Sequence, residues 1–175
     1  MLNLKDKKLP EAIEVFGQLF FINTSFKVWL DYPERIGSLV DGDFEGYKEL
    51  FKNKAPVPTQ EVINLTDAFF YIPKDVPRKS NGEVVIDYEI DADYIYSAFL
   101  QAYGIDLIDT DLHWHKFTAL LSSLPESTFF HKIMEYRSYK GKDSELKKLK
   151  HIWALPTKLT NEEKKAMEDF NKIFG

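Results

Sequence analysis

The side chains best suited to chemistry in this sequence lie between residues 109 and 137. This stretch holds three of the four histidines of the chain, together with two closely spaced aspartates. The chain has no cysteine, so a metal site would use histidine and carboxylate ligands, which zinc and manganese accept. One hypothesis is therefore a metal-dependent hydrolase built on Asp109, Asp111, His113 and His131.

The pattern of apolar residues favours a structural role for the same stretch. Large apolar side chains recur at intervals of three and four residues: Trp114, Phe117, Leu121 and Leu124. This spacing predicts an amphipathic helix. Residues two apart on a helix point about 200° from one another, so His113 and His115 could share a metal only on an extended backbone. We predict that His115 faces the polar side and that the acidic run from Asp109 to Asp111 caps the helix.

Arg137 lies on the apolar face of a second predicted helix. That helix follows Ser123 and Glu126, which have the spacing of a capping box. Its apolar face consists of Phe130, Ile133 and Met134. An arginine that continues such a face must reach water or find a carboxylate, because an unpaired buried charge is costly. We predict a structural tie between the two packed helices, in which Arg137 pairs with Asp106, Asp109 or Asp111.

A second acidic run resembles the start of a calcium-binding loop. Asp41, Asp43 and Glu45 fall at ligand positions one, three and five, with Gly46 at position six. Position twelve, which should supply a bidentate glutamate, is Lys52. We therefore interpret the run as a turn in which Asp41 or Asp43 caps the following helix.

Composition narrows the class of protein further. At 175 residues, 44% of them hydrophobic, the chain can form one domain with a substantial core. No apolar run reaches the roughly 18 to 20 residues of a membrane span, so we predict a soluble protein. The formal charge of -5 argues against general nucleic-acid binding. The lysines from Lys140 to Lys150 form a local basic patch, which is the one candidate surface for binding phosphate groups.

Motifs that mark common enzyme classes do not occur in the sequence. It contains no nucleophile elbow, P-loop, glycine-rich dinucleotide loop or HExxH pattern. We therefore predict a protein that is not an enzyme and uses no metal or other cofactor.

The apolar periodicity predicts a mainly α fold: one helical domain over residues 1–175 with a small N-terminal β-hairpin. The hairpin covers about 12–23, with its turn around a glycine. The helical body covers about 24–155 and includes an exposed loop, 73–82, rich in proline. A capping box and an apolar stripe predict a final amphipathic helix over about 160–174.

The apolar face of the final helix is a candidate surface for binding a partner. It consists of Met167, Phe170, Ile173 and Phe174. Aromatic and methionine side chains on such a face are typical of helix-binding surfaces. The alternative is that the face packs on the core of the domain itself, because periodicity alone does not separate core from interface.

Three segments resemble the bacteriophage gene-product-fifteen family. They are "YIYSAFLQAYGIDL" at 94–107, "LHWHKFTALLSSLPE" at 112–126 and "FFHKIMEYR" at 129–137. The earlier "INTSFKVWLDY" and the later "WALP" are also similar, so the likeness covers most of the chain. The family is encoded near the tail genes of siphophages and prophages of Gram-positive bacteria, between the genes of the major tail protein and the tape-measure protein.

That gene position implies a tail assembly chaperone in the cytoplasm of the bacterial host. The expected partners are the tape-measure protein, which the chaperone would keep soluble, and the major tail protein, which it would recruit. The family defines no catalytic residues. A minor structural tail protein is the alternative, and the metal-dependent hydrolase described above is the second alternative.

Overall fold

The computed structural model describes residues 8–71 and 84–156. Within these ranges the chain forms one two-stranded antiparallel sheet and eight α-helices. The strands are β1 (Ala12–Val15) and β2 (Gln18–Phe21). The helices are α1 (Phe26–Trp29), α2 (Tyr32–Gly37), α3 (Glu45–Glu49), α4 (Gln60–Tyr71), α5 (Ala92–Tyr103), α6 (Trp114–Leu121), α7 (Phe129–Ser138) and α8 (Ser144–Ile152). The predicted fold class, mainly α with a small N-terminal hairpin, is confirmed.

Strands β1 and β2 form the predicted hairpin around Gly17. Ile13 pairs with Phe20 across the sheet, and the side chains of Ile13 and Val15 are buried. Phe16 and Gly17 make the two-residue turn with φ values of 49° and 78°. Positive φ at both positions matches the twist of the strands. The turn therefore holds Phe16, which is 84% exposed, in a backbone region that favours glycine or asparagine.

Proline sets the boundary between α1 and α2. Phe26 and Trp29 of α1 are buried, and Pro33 lies in the first turn of α2. An amide is not needed there for helical hydrogen bonding, so proline is tolerated at the start and not in the middle of a helix. Pro33 therefore lies at the start of a new helix and does not continue α1. Ser25 holds the N-cap position of α1, but its side chain makes no capping hydrogen bond.

The apolar stripes of α4 and α5 are buried as their spacing predicts. The buried residues are Val62, Thr66 and Phe69 in α4, and Ile95, Ala98 and Phe99 in α5. Gly104 ends α5 with φ 65°, a conformation that glycine adopts at little cost.

A continuous series of aromatic rings forms the centre of the core. The rings contact one another in the order Tyr32, Phe70, Trp114, Phe117 and Phe99. Neighbouring ring centroids lie 4.6 to 5.8 Å apart, within the range of favourable aromatic contacts. Since α6 supplies two rings in the middle of the series, it joins α2 and α4 on one side to α5 on the other.

Both α6 and α7 start differently from the prediction. His113, not the acidic run before it, caps α6: its Nδ1 accepts a hydrogen bond from the His115 amide at 3.0 Å. Thr128 caps α7 with its side-chain oxygen, so Ser123 and Glu126 are not the capping box of that helix. Apolar spacing located both helices. Several polar residues near each start were equally suited to the cap position, and spacing alone did not choose among them.

The predicted packing of α6 directly on α7 is also different. Helix α6 packs mainly on α1 and α5, whereas α7 packs on α5 and α8. Helix α5 therefore joins the two helices that were expected to form a hairpin.

The acidic run near residue 41 forms the predicted turn, in which Gly42 has φ 79°. The N-cap position of α3 belongs to Phe44, whose side chain makes no capping hydrogen bond. Asp43 precedes it, and its Oδ1 accepts a hydrogen bond from the Glu45 amide at 3.0 Å.

Two predicted features lie outside the described residues. They are the loop at 73–82 and the helix at about 160–174, with its candidate partner-binding residues Met167, Phe170, Ile173 and Phe174. In the part of the chain that is described, none of the helices has both the length and the apolar character needed to cross a bilayer.

We expect Phe16→Asn to stabilise the protein by about 0.5 to 1 kcal/mol, because asparagine tolerates positive φ better than phenylalanine. Phe16 is so exposed that the substitution removes little packing. Urea unfolding of the variant and the unsubstituted protein measures the difference. Phe21→Asn is the matched control, since Phe21 lies in an extended strand where asparagine is disfavoured. Equal destabilisation by both substitutions would contradict the turn assignment.

Candidate functional site

The four residues of the hypothetical metal site do not converge. Asp111 accepts a hydrogen bond from the Ser25 hydroxyl at 2.6 Å, Asp109 lies in a turn, and His131 lies on α7. His113 precedes α6 as its cap. Over residues 8–71 and 84–156, no three histidine or carboxylate side chains group closely enough to hold a metal ion. This part of the chain therefore offers no ligand set for the hydrolase hypothesis.

His113 and His115 are neighbours because the backbone at His113 is extended, with ψ 136°. Their ring centroids lie 5.1 Å apart. His113 Nε2 contacts the Pro10 carbonyl oxygen at 2.9 Å, and His115 Nε2 contacts that of Phe69 at 3.0 Å. A carbonyl oxygen only accepts, so Nε2 carries the proton in both neutral rings. The two histidines are thus held by backbone contacts.

His115 is buried, although its sequence position predicted the polar side of α6. Only 4% of the residue is exposed, and its ring lies 4.5 Å from that of Phe69. Its Nδ1 has no hydrogen-bond partner among the described residues. Burial lowers the pKa of His115 to about 4. The prediction was wrong because the end of α4 covers a second side of α6, next to the face that Trp114 and Phe117 bury.

Arg137 is buried as predicted, but its carboxylate partner is Asp91. The guanidinium donates to both carboxylate oxygens, at 2.6 and 2.8 Å. It also donates to the carbonyl oxygens of Trp153 at 2.7 Å and Val85 at 3.0 Å. Asp91 is fully buried and receives a further hydrogen bond from the Asp87 amide. This network connects α7, the start of α5 and the chain after α8.

The predicted pairing of Arg137 with Asp106 is wrong. Asp106 accepts hydrogen bonds from the Ile108 amide at 2.9 Å and from the Tyr96 hydroxyl at 3.1 Å. The hydrogen bond from the Ile108 amide is the main cause that lowers the pKa of Asp106. Asp106 therefore fixes the turn after α5 and does not reach α7.

An apolar groove lies between α1, α5 and the turn at residues 107–109. It encloses about 570 Å³. Its buried floor consists of Phe26, Ile95, Leu107 and Phe117, and its rim includes Tyr96 and Ile108. Pockets of this size and composition commonly bind ligands or apolar side chains of partners.

Ile108 is the most exposed apolar residue of this groove, at 70%. It is held in place by the turn that Asp106 stabilises, and its carbonyl oxygen accepts a hydrogen bond from Lys27 Nζ at 2.7 Å. Lys27 therefore ties α1 to the turn on the opposite side of the groove. An exposed isoleucine on a fixed backbone is available to a partner without reorganisation of the chain.

The basic patch predicted from Lys140 to Lys150 lies on α8 and the turn before it. Asp143 caps this helix, and Lys148 pairs with Glu145 at 2.8 Å. No residue of α8 is buried. The helix carries Glu145 and three lysines, and its exposure along the whole length is typical of a solvated face.

Two features of the site were not predicted from the sequence. Asp91 immediately precedes α5, where a carboxylate commonly caps its own helix, so nothing local indicated a partner 46 residues away. The groove depends on how α1, α5 and α6 pack, and apolar periodicity does not show which apolar residues stay exposed. The sequence feature that could have indicated the groove is Ile108, an apolar residue among the aspartates of residues 106–111.

We expect stability to fall as the pH decreases from about 6.5 to about 4. Burial lowers the pKa of folded His115 to about 4, against 6.5 for the ordinary group, so the unfolded chain binds the proton first. The contribution of neutral His115 is complete above about pH 6.5, and each pH unit below costs at most about 1.4 kcal/mol. Urea unfolding across this window measures the slope. His115→Gln should flatten it, whereas a control substitution of the exposed His151 to Gln should not.

We expect Arg137→Met to destabilise the protein by about 3 to 5 kcal/mol, because it leaves the buried Asp91 carboxylate without its cation. Asp91→Ala should have a similar cost, and the double variant should cost clearly less than the sum. Lys148→Met breaks an exposed pair and serves as the control, with an expected cost below about 1 kcal/mol. Additive costs at Arg137 and Asp91, measured by chemical unfolding, would contradict this coupling.

Comparison with known proteins yields one match. The family model described as "Bacteriophage Gp15 protein" matches residues 4–155 of the chain. No curated protein and no solved structure matches the chain. The matched range contains β1, β2 and all eight described helices, including the groove and the Arg137–Asp91 pair. The chain belongs to the bacteriophage Gp15 protein family.

Proposed function

We propose that this chain is a non-enzymatic protein of phage tail morphogenesis. It acts in the cytoplasm of the bacterial host as a tail assembly chaperone that binds the tape-measure protein and recruits tail-tube subunits. The observation that carries the proposal is the family match over residues 4–155. The position of this family's genes, between those of the major tail protein and the tape-measure protein, supports this role.

The state of the titratable side chains supports a role without catalysis. His113 caps α6, His115 is buried against Phe69, and Asp91 is occupied by Arg137. Each of these groups stabilises the fold through contacts that a catalytic role would have to break.

The apolar groove supports a role in binding another chain. A chaperone for a long helical protein must offer apolar surface that covers the exposed face of that protein before assembly. The groove provides such a surface on a rigid base, since Phe26 and Phe117 on its floor stack at 4.6 Å. A rigid surface binds at lower entropic cost than one that must first become ordered.

Co-expression with the tape-measure protein of the same genome tests the proposal. We expect more of the tape-measure protein to remain in the soluble fraction when this chain is present, and the two to elute together. Expression of the tape-measure protein alone is the baseline. Arg137→Met, which weakens the fold, is the control for a requirement for the native structure.

Two results would count against the proposal. One is a folded chain that neither binds nor solubilises the tape-measure protein but is present in purified virions, as a minor structural tail protein would be. The other is zinc or manganese in stoichiometric amount in the purified protein, found by elemental analysis, which would return the hydrolase hypothesis to first place.

A further inference from the structure

We infer that the groove between α1 and α5 is the docking site for an amphipathic helix of a partner protein, one whose apolar face is flanked by lysine or arginine. The inference deepens the proposed function and rests on it only for the identity of the protein that carries the helix. Three observations support it: the elements that line the groove, the apolar floor and the charge of the rim.

The elements around the groove favour a helix over an extended strand as its occupant. Every lining residue belongs to a helix or a turn, from Phe26 in α1 to Tyr96 in α5 and Ile108 in the turn. An added strand needs an open sheet edge with unpaired backbone groups, and this surface has none. Recognition must therefore come from side chains, as when the apolar face of a helix enters a groove.

The floor of the groove supplies an apolar surface of the right kind. Ile95 and Leu107 lie beside the stacked rings of Phe26 and Phe117, and Ile108 projects at the rim with 70% of its surface exposed. A volume of about 570 Å³ has room for several aliphatic side chains from successive turns of one helix. Burial of Ile108 under such a helix would remove a large apolar side chain from water.

The charge of the rim selects for a basic partner. Asp93 lines the groove. At its edge, Asp106 accepts a hydrogen bond from the Tyr96 hydroxyl at 3.1 Å, and this hydrogen bond and the negative charges of Asp106 and Asp109 raise the pKa of Tyr96. Among the described residues that line the groove, Lys27 supplies the one ammonium. It donates to the Ile108 carbonyl oxygen and lies 5.9 Å from the centroid of the Phe26 ring. Asp93 and Lys27 thus balance one another within the lining, and Asp106 and Asp109 beside Tyr96 add negative charge next to the apolar floor. Lysine or arginine beside the apolar face of the partner complements this arrangement.

Two synthetic helical peptides of about four turns test the inference directly. Both carry leucine at helical spacing, and their polar positions are lysine in one and glutamate in the other. We expect the full-length protein to bind the lysine peptide at least about tenfold more tightly, as measured by fluorescence anisotropy. This preference should shrink as salt rises to about 0.5 M, because salt screens the charge of the rim. Equal affinity for both peptides would overturn the inference.

Paired substitutions locate the binding surface. Ile108→Ser should weaken binding of the lysine peptide about tenfold, whereas Ile152→Ser on α8 should not, although both isoleucines are 70% exposed. Asp109→Lys should weaken binding at low salt, whereas Glu14→Lys on β1, the same reversal of charge, should leave it unchanged. Equal effects within each pair would place the peptide elsewhere and overturn the inference.

Two further outcomes would assign the groove to a different occupant. A large loss of thermal stability in Ile108→Ser but not in Ile152→Ser would show that the chain itself fills the groove. A dimer, seen by analytical ultracentrifugation, that Ile108→Ser dissociates would show that a second copy fills it. Either result would overturn the inference of a basic partner helix.

The same variants, co-expressed with the tape-measure protein, separate this inference from the proposed function. Loss of the complex in Ile108→Ser and Asp109→Lys supports both. A complex that both variants retain supports the proposed function and overturns the groove as its site. Specific binding of the lysine peptide without any tape-measure complex supports the groove and overturns the proposed function.

Discussion

Aromatic packing around α6 is the interaction on which the rest of this structure depends. Trp114 and Phe117 contact rings from α4 and α5, and Phe117 also stacks on Phe26 of α1 at 4.6 Å. The helices they connect are short, and α1 has only four residues. Helices of this length are not stable alone in water, so their position must come from tertiary contacts. Large rigid rings suit this purpose, because each buries much apolar surface at little cost in side-chain entropy.

Polar contacts complete the arrangement where the rings do not reach. The Ser25 hydroxyl donates a hydrogen bond to the Asp111 carboxylate. The Phe26 amide donates to the Leu112 carbonyl oxygen, and the Trp114 amide donates to the Thr24 carbonyl oxygen. These three hydrogen bonds fix the starts of α1 and α6 to each other. Arg137 and Asp91 do the same for α7 and α5. A buried ion pair contributes little net stability over an apolar pair, but it penalises any arrangement that separates its members. These contacts define which of several possible packings the short helices adopt.

The apolar groove follows from the same packing. Phe26 and Phe117 hold α1 and α6 together, α5 lies alongside, and the turn stabilised by Asp106 leaves Ile108 at the rim. Asp106, which was predicted to pair with Arg137, fixes this turn, and Asp109, which was predicted to cap α6, lies beside Tyr96 at the edge of the groove. The proposed binding of other chains requires an apolar surface that is fixed in this way.

The sequence by itself determined the fold class, the hairpin, the places of α6 and α7, the helix boundaries at Pro33 and Gly104, and the family. Those features depend on periodicity, proline and glycine, which act over a few residues. Only the tertiary structure decided that His113 caps α6, that His115 is buried, that Arg137 binds Asp91 and that Ile108 borders a groove. Each of these depends on which residues distant in sequence lie nearby, and the local pattern carries no such information. Several aspartates, for example, were equally suited to pair with Arg137.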